Sequence, residues 1–259
     1  MLPDPAVLIE RARSASSDEL KALAHEADER VLLALLENSN CEEPHITLLL
    51  DRLDLPANVL SEIGGQNKWT SREGVRLRLA AHPRTPKRIA VSVVRQLYLF
   101  DLVRLSLLAS APPDVKRTAE EIITARVPHL PVGQKLTLAR RGPSRVAGAL
   151  LAEGHPQVSK IALNNAFLTE SQVLKVLAKP DVPERVVAAI AQHAKWGNAY
   201  NVRMALLRNR HTPVRSVLAF LPHLLPHELE GLAELPQLPS HVRKYIGNEL
   251  KTRRAENAE

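Results

Sequence analysis

One phrase occurs twice in this chain. Residues 66–88 read QNKWTSREGVRLRLAAHPRTPKR and residues 193–215 read HAKWGNAYNVRMALLRNRHTPVR, with Lys-Trp, Val-Arg, Leu, Thr-Pro and Arg in one register and no gap. The offset of 127 extends well beyond the phrase. Residues 31–126 align without a gap on 158–253, with about a quarter of the positions identical, well above what a Leu- and Ala-rich composition produces by chance. Val31/Val158, Asn38/Asn165, Pro56/Pro183, Trp69/Trp196, Arg76/Arg203, Arg88/Arg215 and Arg126/Arg253 are among the shared pairs. Such a chain is expected to be an internal duplication, with one half over 1–126 and the other over 127–259, each built from the same small units.

Those units read as helices. Apolar residues recur at helical spacing in VLLALLEN, ITLLLDRL, IAVSVVRQL and DLVRLSLLA, with Pro, Asn or Gly between the runs. Aromatics are 3% of the residues and no stretch alternates with period two, so strands are not expected and the fold class is all-α. Thr85-Pro86 and Thr212-Pro213 read as helix starts, with Thr as N-cap and Pro at the first helical position. A period of 127 is close to three units of about 42, the length of a helix pair in stacked α-helical arrays.

The pattern VxxALLxNxxTP at 202–213, echoed in VSKIALNNAFLTE at 158–170 and VRLRLAAHPRTP at 75–86, resembles HEAT-like and leucine-rich-repeat-variant units and is similar to bacterial helical-repeat proteins. The resemblance covers most of the chain. It implies an α-solenoid of short helix pairs, stacked right-handedly with one concave surface, and leaves the function open.

Charge narrows the function. Residues 1–67 hold 5 Lys/Arg against 13 Asp/Glu, and residues 68–259 hold 30 against 15, so a basic region follows an acidic one. Lys195, Arg203, Arg208, Arg210, His211 and Arg215 form the richest positive stretch, and no acidic residue lies between Glu184 and Glu228. Lys68, Arg76 and Arg88 carry the same register in the first half. If Thr is the N-cap, Arg88 and Arg215 stand at the third helical position, where the helix dipole disfavours a cation. Either a neighbouring carboxylate or an anion shared with Arg76 or Arg203 should compensate. Trp69 and Trp196 are expected to fill the space between adjacent helix pairs, with Lys68 and Lys195 solvated beside them.

No signature of metal hydrolysis, phosphate-loop, dinucleotide or nucleophile-elbow chemistry is present. His223 and His227 have a metal-ligand spacing, but Pro226 intervenes and no third ligand is evident, so neither a metal nor a cofactor is expected. Helical-repeat DNA glycosylases share the basic character, yet they need an acid beside an aromatic in a basic groove, which the stretch lacks. The sequence therefore points to a non-enzymatic scaffold that binds an acidic protein segment or another macromolecule through a basic face. A nucleic-acid binder of low sequence specificity is the alternative. One cysteine, Cys41, no signal-like N-terminus and no apolar run of membrane-spanning length lead to the expectation of a cytoplasmic protein with no membrane partner.

Overall fold

The structure is a computed structural model that describes residues 5–236 and 238–256. Its described residues form helices and turns, with no strand among them. The chain divides into two compact units between Ala125 and Arg126. Unit 1 contains α1 (Pro5–Ser14), α2 (Ser17–Leu23), α3 (Glu29–Glu37), α4 (Glu43–Leu50), α5 (Ala57–Gly65), α6 (Asn67–Thr70), α7 (Glu73–Ala81), α8 (Lys87–Arg95), α9 (Leu99–Leu107) and all but the last residue of α10 (Pro113–Arg126). Unit 2 contains α11 (Val132–Arg141), α12 (Ser144–Glu153), α13 (Pro156–Leu163), α14 (Glu170–Leu177), α15 (Glu184–Gln192), α16 (Tyr200–Arg208), α17 (Val214–Phe220), α18 (Pro226–Ala233) and α19 (Ser240–Glu256). No described helix is long and apolar enough to cross a membrane.

Most of these helices have only two to three turns, too short to persist alone in water, so packing must hold them. In α3, the Asp28 side chain accepts from the Arg30 N–H, and Val31, Leu32 and Leu35 bury one face. In α8, Ala90, Val93 and Val94 turn inward while Lys87, Arg88 and Arg95 stay exposed. Within unit 1, α1, α3, α5 and α8 pack in succession, as do α2, α4, α7 and α9, and the contacts of α2 with α3 and of α7 with α8 join the two rows. Within unit 2, α11, α13 and α15 form one row and α12, α14 and α16 the other, while α17 and α18 both pack on α19.

The helix starts of unit 2 follow those of unit 1 at the offset already seen in the sequence: Pro5 and Val132, Ser17 and Ser144, Glu29 and Pro156, Glu43 and Glu170, Ala57 and Glu184, Glu73 and Tyr200, Lys87 and Val214, Leu99 and Pro226, Pro113 and Ser240. Inside a unit the spacing differs from expectation. The first row of unit 1 begins at Pro5, Glu29, Ala57 and Lys87, so each helix pair takes up far less chain than the expected unit of about 42. Two-turn helices joined by tight turns need no more.

Buried side chains tie successive pairs together in the same way in both units. Asn38 donates through Nδ2 to the carbonyls of Ala12 (2.8 Å) and Ala15 (3.1 Å) and accepts the Asn40 N–H on Oδ1 (2.7 Å). Asn165 does the same with Ala139 (2.8 Å), Gly142 (3.0 Å) and the Phe167 N–H (2.7 Å). These amides close orphan carbonyls at the ends of α1 and α11.

The Thr-Pro motifs act differently from the sequence expectation. The hydroxyl of Thr85 donates to the Leu79 carbonyl (2.7 Å) and that of Thr212 to the Leu206 carbonyl (2.6 Å), so each Thr closes the helix before it. Pro86 and Pro213 are themselves the N-caps of α8 and α17. Proline's fixed φ suits the cap, and its carbonyl accepts the first helical bond, so the helix begins one residue later than expected. Arg88 and Arg215 accordingly stand at the second helical position, not the third.

Both tryptophans are buried, at 2% exposure each. The ammonium groups of Lys68 and Lys195 lie 4.3 and 4.1 Å from the centroids of their rings. Close packing of α5 on α8 uses Gly64, because a Cβ there would run into the Ile89 side chain. The left-handed turn that ends α12 is made by Gly154, at φ 79°.

Candidate functional site

The loop 209–213 between α16 and α17 is held from inside. Asn209 Nδ2 donates to the Leu177 carbonyl (3.2 Å), its Oδ1 accepts the His211 N–H (2.9 Å), and Thr212 is anchored on α16 as described. With the backbone pinned, Arg210 and His211 face a hollow of about 530 Å3, lined also by Glu184, Arg185 and Ala188 from α15, by Val214 from α17, and by His241 near the start of α19.

Its polar groups are linked. His211 Nδ1 lies 3.0 Å from Glu184 Oε1, and Arg210 Nε donates to His211 Nε2 at 3.0 Å. The imidazole tautomer carrying its proton on Nδ1 satisfies both contacts at once. Arg185 reaches the Gly154 carbonyl through Nε. The hollow thus gathers two guanidinium groups, two imidazoles and one carboxylate. Anionic groups of a ligand could take the free guanidinium edges, with Val214 and Ala188 offering apolar contact.

The remaining cations are distributed elsewhere. Arg215 and Arg208 are exposed, and neither forms an ion pair among the described residues. Beside Arg208, the Tyr200 hydroxyl donates to Glu228 Oε1 (2.7 Å). That bond, with burial and the Glu228 charge, raises the Tyr200 pKa, and the Arg208 charge opposes the rise. The Glu228 pKa is lowered, first by the Leu225 N–H and then by the tyrosine. Lys195 is exposed over Trp196, and its charge adds to burial in lowering the pKa of His193.

Arg203 is half-buried, with its guanidinium carbon 5.6 Å from the Phe220 ring centroid. Arg76 stands 5.6 Å from the Tyr98 ring and donates to the Gln96 carbonyl (2.9 Å). Each arginine thus lies against a ring of the following segment, although Tyr98 and Phe220 stand at unmatched positions of the two units. In unit 1, Lys68 donates to the Cys41 carbonyl (3.0 Å) as well as covering Trp69. Arg88 lies with Lys87 and Arg95 on the exposed face of α8 and makes no ion pair among the described residues. His223 and His227 are exposed, and no group of three or more metal-ligating side chains occurs among the described residues.

The structure therefore brings Arg210 and His211 into one hollow, leaves Arg208 and Arg215 exposed outside it, and engages Arg203, Arg76, Lys195 and Lys68 against aromatic rings. Sequence reasoning missed Arg185 and His241. It also treated Glu184 only as the edge of an acid-free stretch, whereas Glu184 supplies the carboxylate on His211. All three stand on neighbouring helices distant in the chain from the loop they face, and only the packing of helix pairs brings them there. Comparison of the chain with protein-family models, with curated proteins and with solved structures finds no match.

Proposed function

We propose that this protein is a non-enzymatic scaffold of stacked HEAT-like helix pairs, internally duplicated in the register its sequence repeats, that works in the cytoplasm and binds an acidic protein segment through the basic face of unit 2. The hollow at the 209–213 loop carries this reading, because two guanidinium groups and two imidazoles line it with a single carboxylate, and Arg208 and Arg215 are exposed outside it. The matched helix starts and the matched asparagine contacts support the duplication. Cys41 is buried with its thiol pKa pushed up to about 11, so it stays protonated.

A salt titration tests the function. Wild-type protein should bind an acidic peptide more tightly than single-stranded or duplex DNA at physiological salt, and affinity should fall as salt rises. Arg208→Glu with Arg210→Glu should remove peptide binding and leave thermal stability nearly unchanged, since both side chains are exposed. Tight, sequence-tolerant DNA binding would replace this reading with a nucleic-acid-binding one. A double variant that retains full peptide binding would overturn the site.

A further inference from the structure

At one matched place the two units differ in a way that bears on the basic hollow. In unit 1, Lys87 at the start of α8 and Asp114 near the start of α10 form an ion pair at 3.7 Å. The matching positions of unit 2 are Val214 and His241, and both line the hollow there. The charged clasp of unit 1 is thus replaced by an aliphatic side chain and an imidazole. Val214 is 41% exposed, and Leu218, one turn further along α17, is 47% exposed. Beside this apolar strip stand Arg210 on the loop and Arg215 on α17.

A purely electrostatic surface gains nothing from exposing Val214 and Leu218, which cost solvation and carry no charge. Cations set around an aliphatic strip are complementary to a segment in which carboxylates flank large apolar side chains. Resting on the function proposed above, we infer that the partner of this face is an acidic segment with aliphatic residues, whose apolar side chains cover Val214 and Leu218 while its carboxylates reach Arg210 and Arg215.

Two synthetic peptides of equal charge separate the two proposals. One carries Leu residues among glutamates, and in the other every Leu is replaced by Ser. Wild-type protein should bind the Leu peptide about tenfold more tightly, the difference that burial of a small aliphatic area produces. Val214→Lys with His241→Asp rebuilds the unit 1 clasp in unit 2 without changing formal charge, and its fold is checked by helicity. This variant should lose the preference for Leu. Equal binding of the two peptides by wild-type protein, or a preference that survives in the variant, overturns the inference. If in that case the Ser peptide still binds and Arg208→Glu with Arg210→Glu abolishes it, the basic-face function stands alone. Failure of wild-type protein to bind either peptide overturns both.

Discussion

Replacing Asn38 or Asn165 by alanine tests whether the buried amides hold successive helix pairs together. Each side chain is 3% exposed and makes three hydrogen bonds to neutral backbone groups. At about 1 kcal/mol per bond, the loss for Asn165→Ala is about 3 kcal/mol, with a further cost wherever a carbonyl stays buried and unpaired. Asn38→Ala should cost less. The Ala15 carbonyl also accepts from Asn40 Nδ2 at 3.0 Å, so only one carbonyl of the pair is orphaned there. In unit 2 the residue matching Asn40 is Phe167, which has no such donor, so the Ala139 and Gly142 carbonyls both lose their side-chain partner. The expected gap between the variants is about 1 kcal/mol, one hydrogen bond. Urea unfolding followed by far-ultraviolet circular dichroism, with the slope of each transition compared to wild type, measures both values. Equal losses, a larger loss for Asn38→Ala, or losses below about 0.5 kcal/mol in both would refute the reasoning, since the last is what an ordinary surface change produces.

Other expectations concern the tryptophans and acid stability. Trp69→Ala and Trp196→Ala should each cost about 3 to 5 kcal/mol in thermal unfolding. Trp→Phe should separate them, because Trp196 Nε1 donates to the Leu163 carbonyl (2.8 Å) while Trp69 Nε1 is buried without a partner; Trp196→Phe should be the more damaging. Glu19 is held at a pKa of about 2 by Arg11 first and then by the N–H and hydroxyl of Ser16, against an ordinary value of 4.5. A depressed carboxylate stabilises the fold above its unfolded pKa, so this contribution should be present above about pH 4.5 and disappear as pH falls towards 2. Glu19→Gln should flatten that part of an acid-unfolding profile, and a profile identical to wild type would count against the assignment.

The sequence by itself determined the helical character of this protein, because apolar spacing acts within one or two turns and needs no knowledge of what lies opposite. VLLALLEN and IAVSVVRQL each became one buried helix face, and the two Lys-Trp pairs placed their indoles in the interior. The register of 127 was likewise open to reading, since it compares the chain only with itself. The tertiary structure alone decided which partners the polar groups took. A Thr before Pro reads as the start of a helix, yet Thr85 and Thr212 donate backwards because the nearest orphan carbonyl is on the preceding helix. Arg203 reads in the sequence as one more charge of a basic stripe, and only packing sets its guanidinium beside Phe220. The hollow depends on Arg185 and His241 meeting a loop far from both in the chain, and on Glu184 reaching His211. Charge counted along a chain cannot register such meetings, because an ion pair is selected by a few ångströms of separation between helices that are distant in sequence.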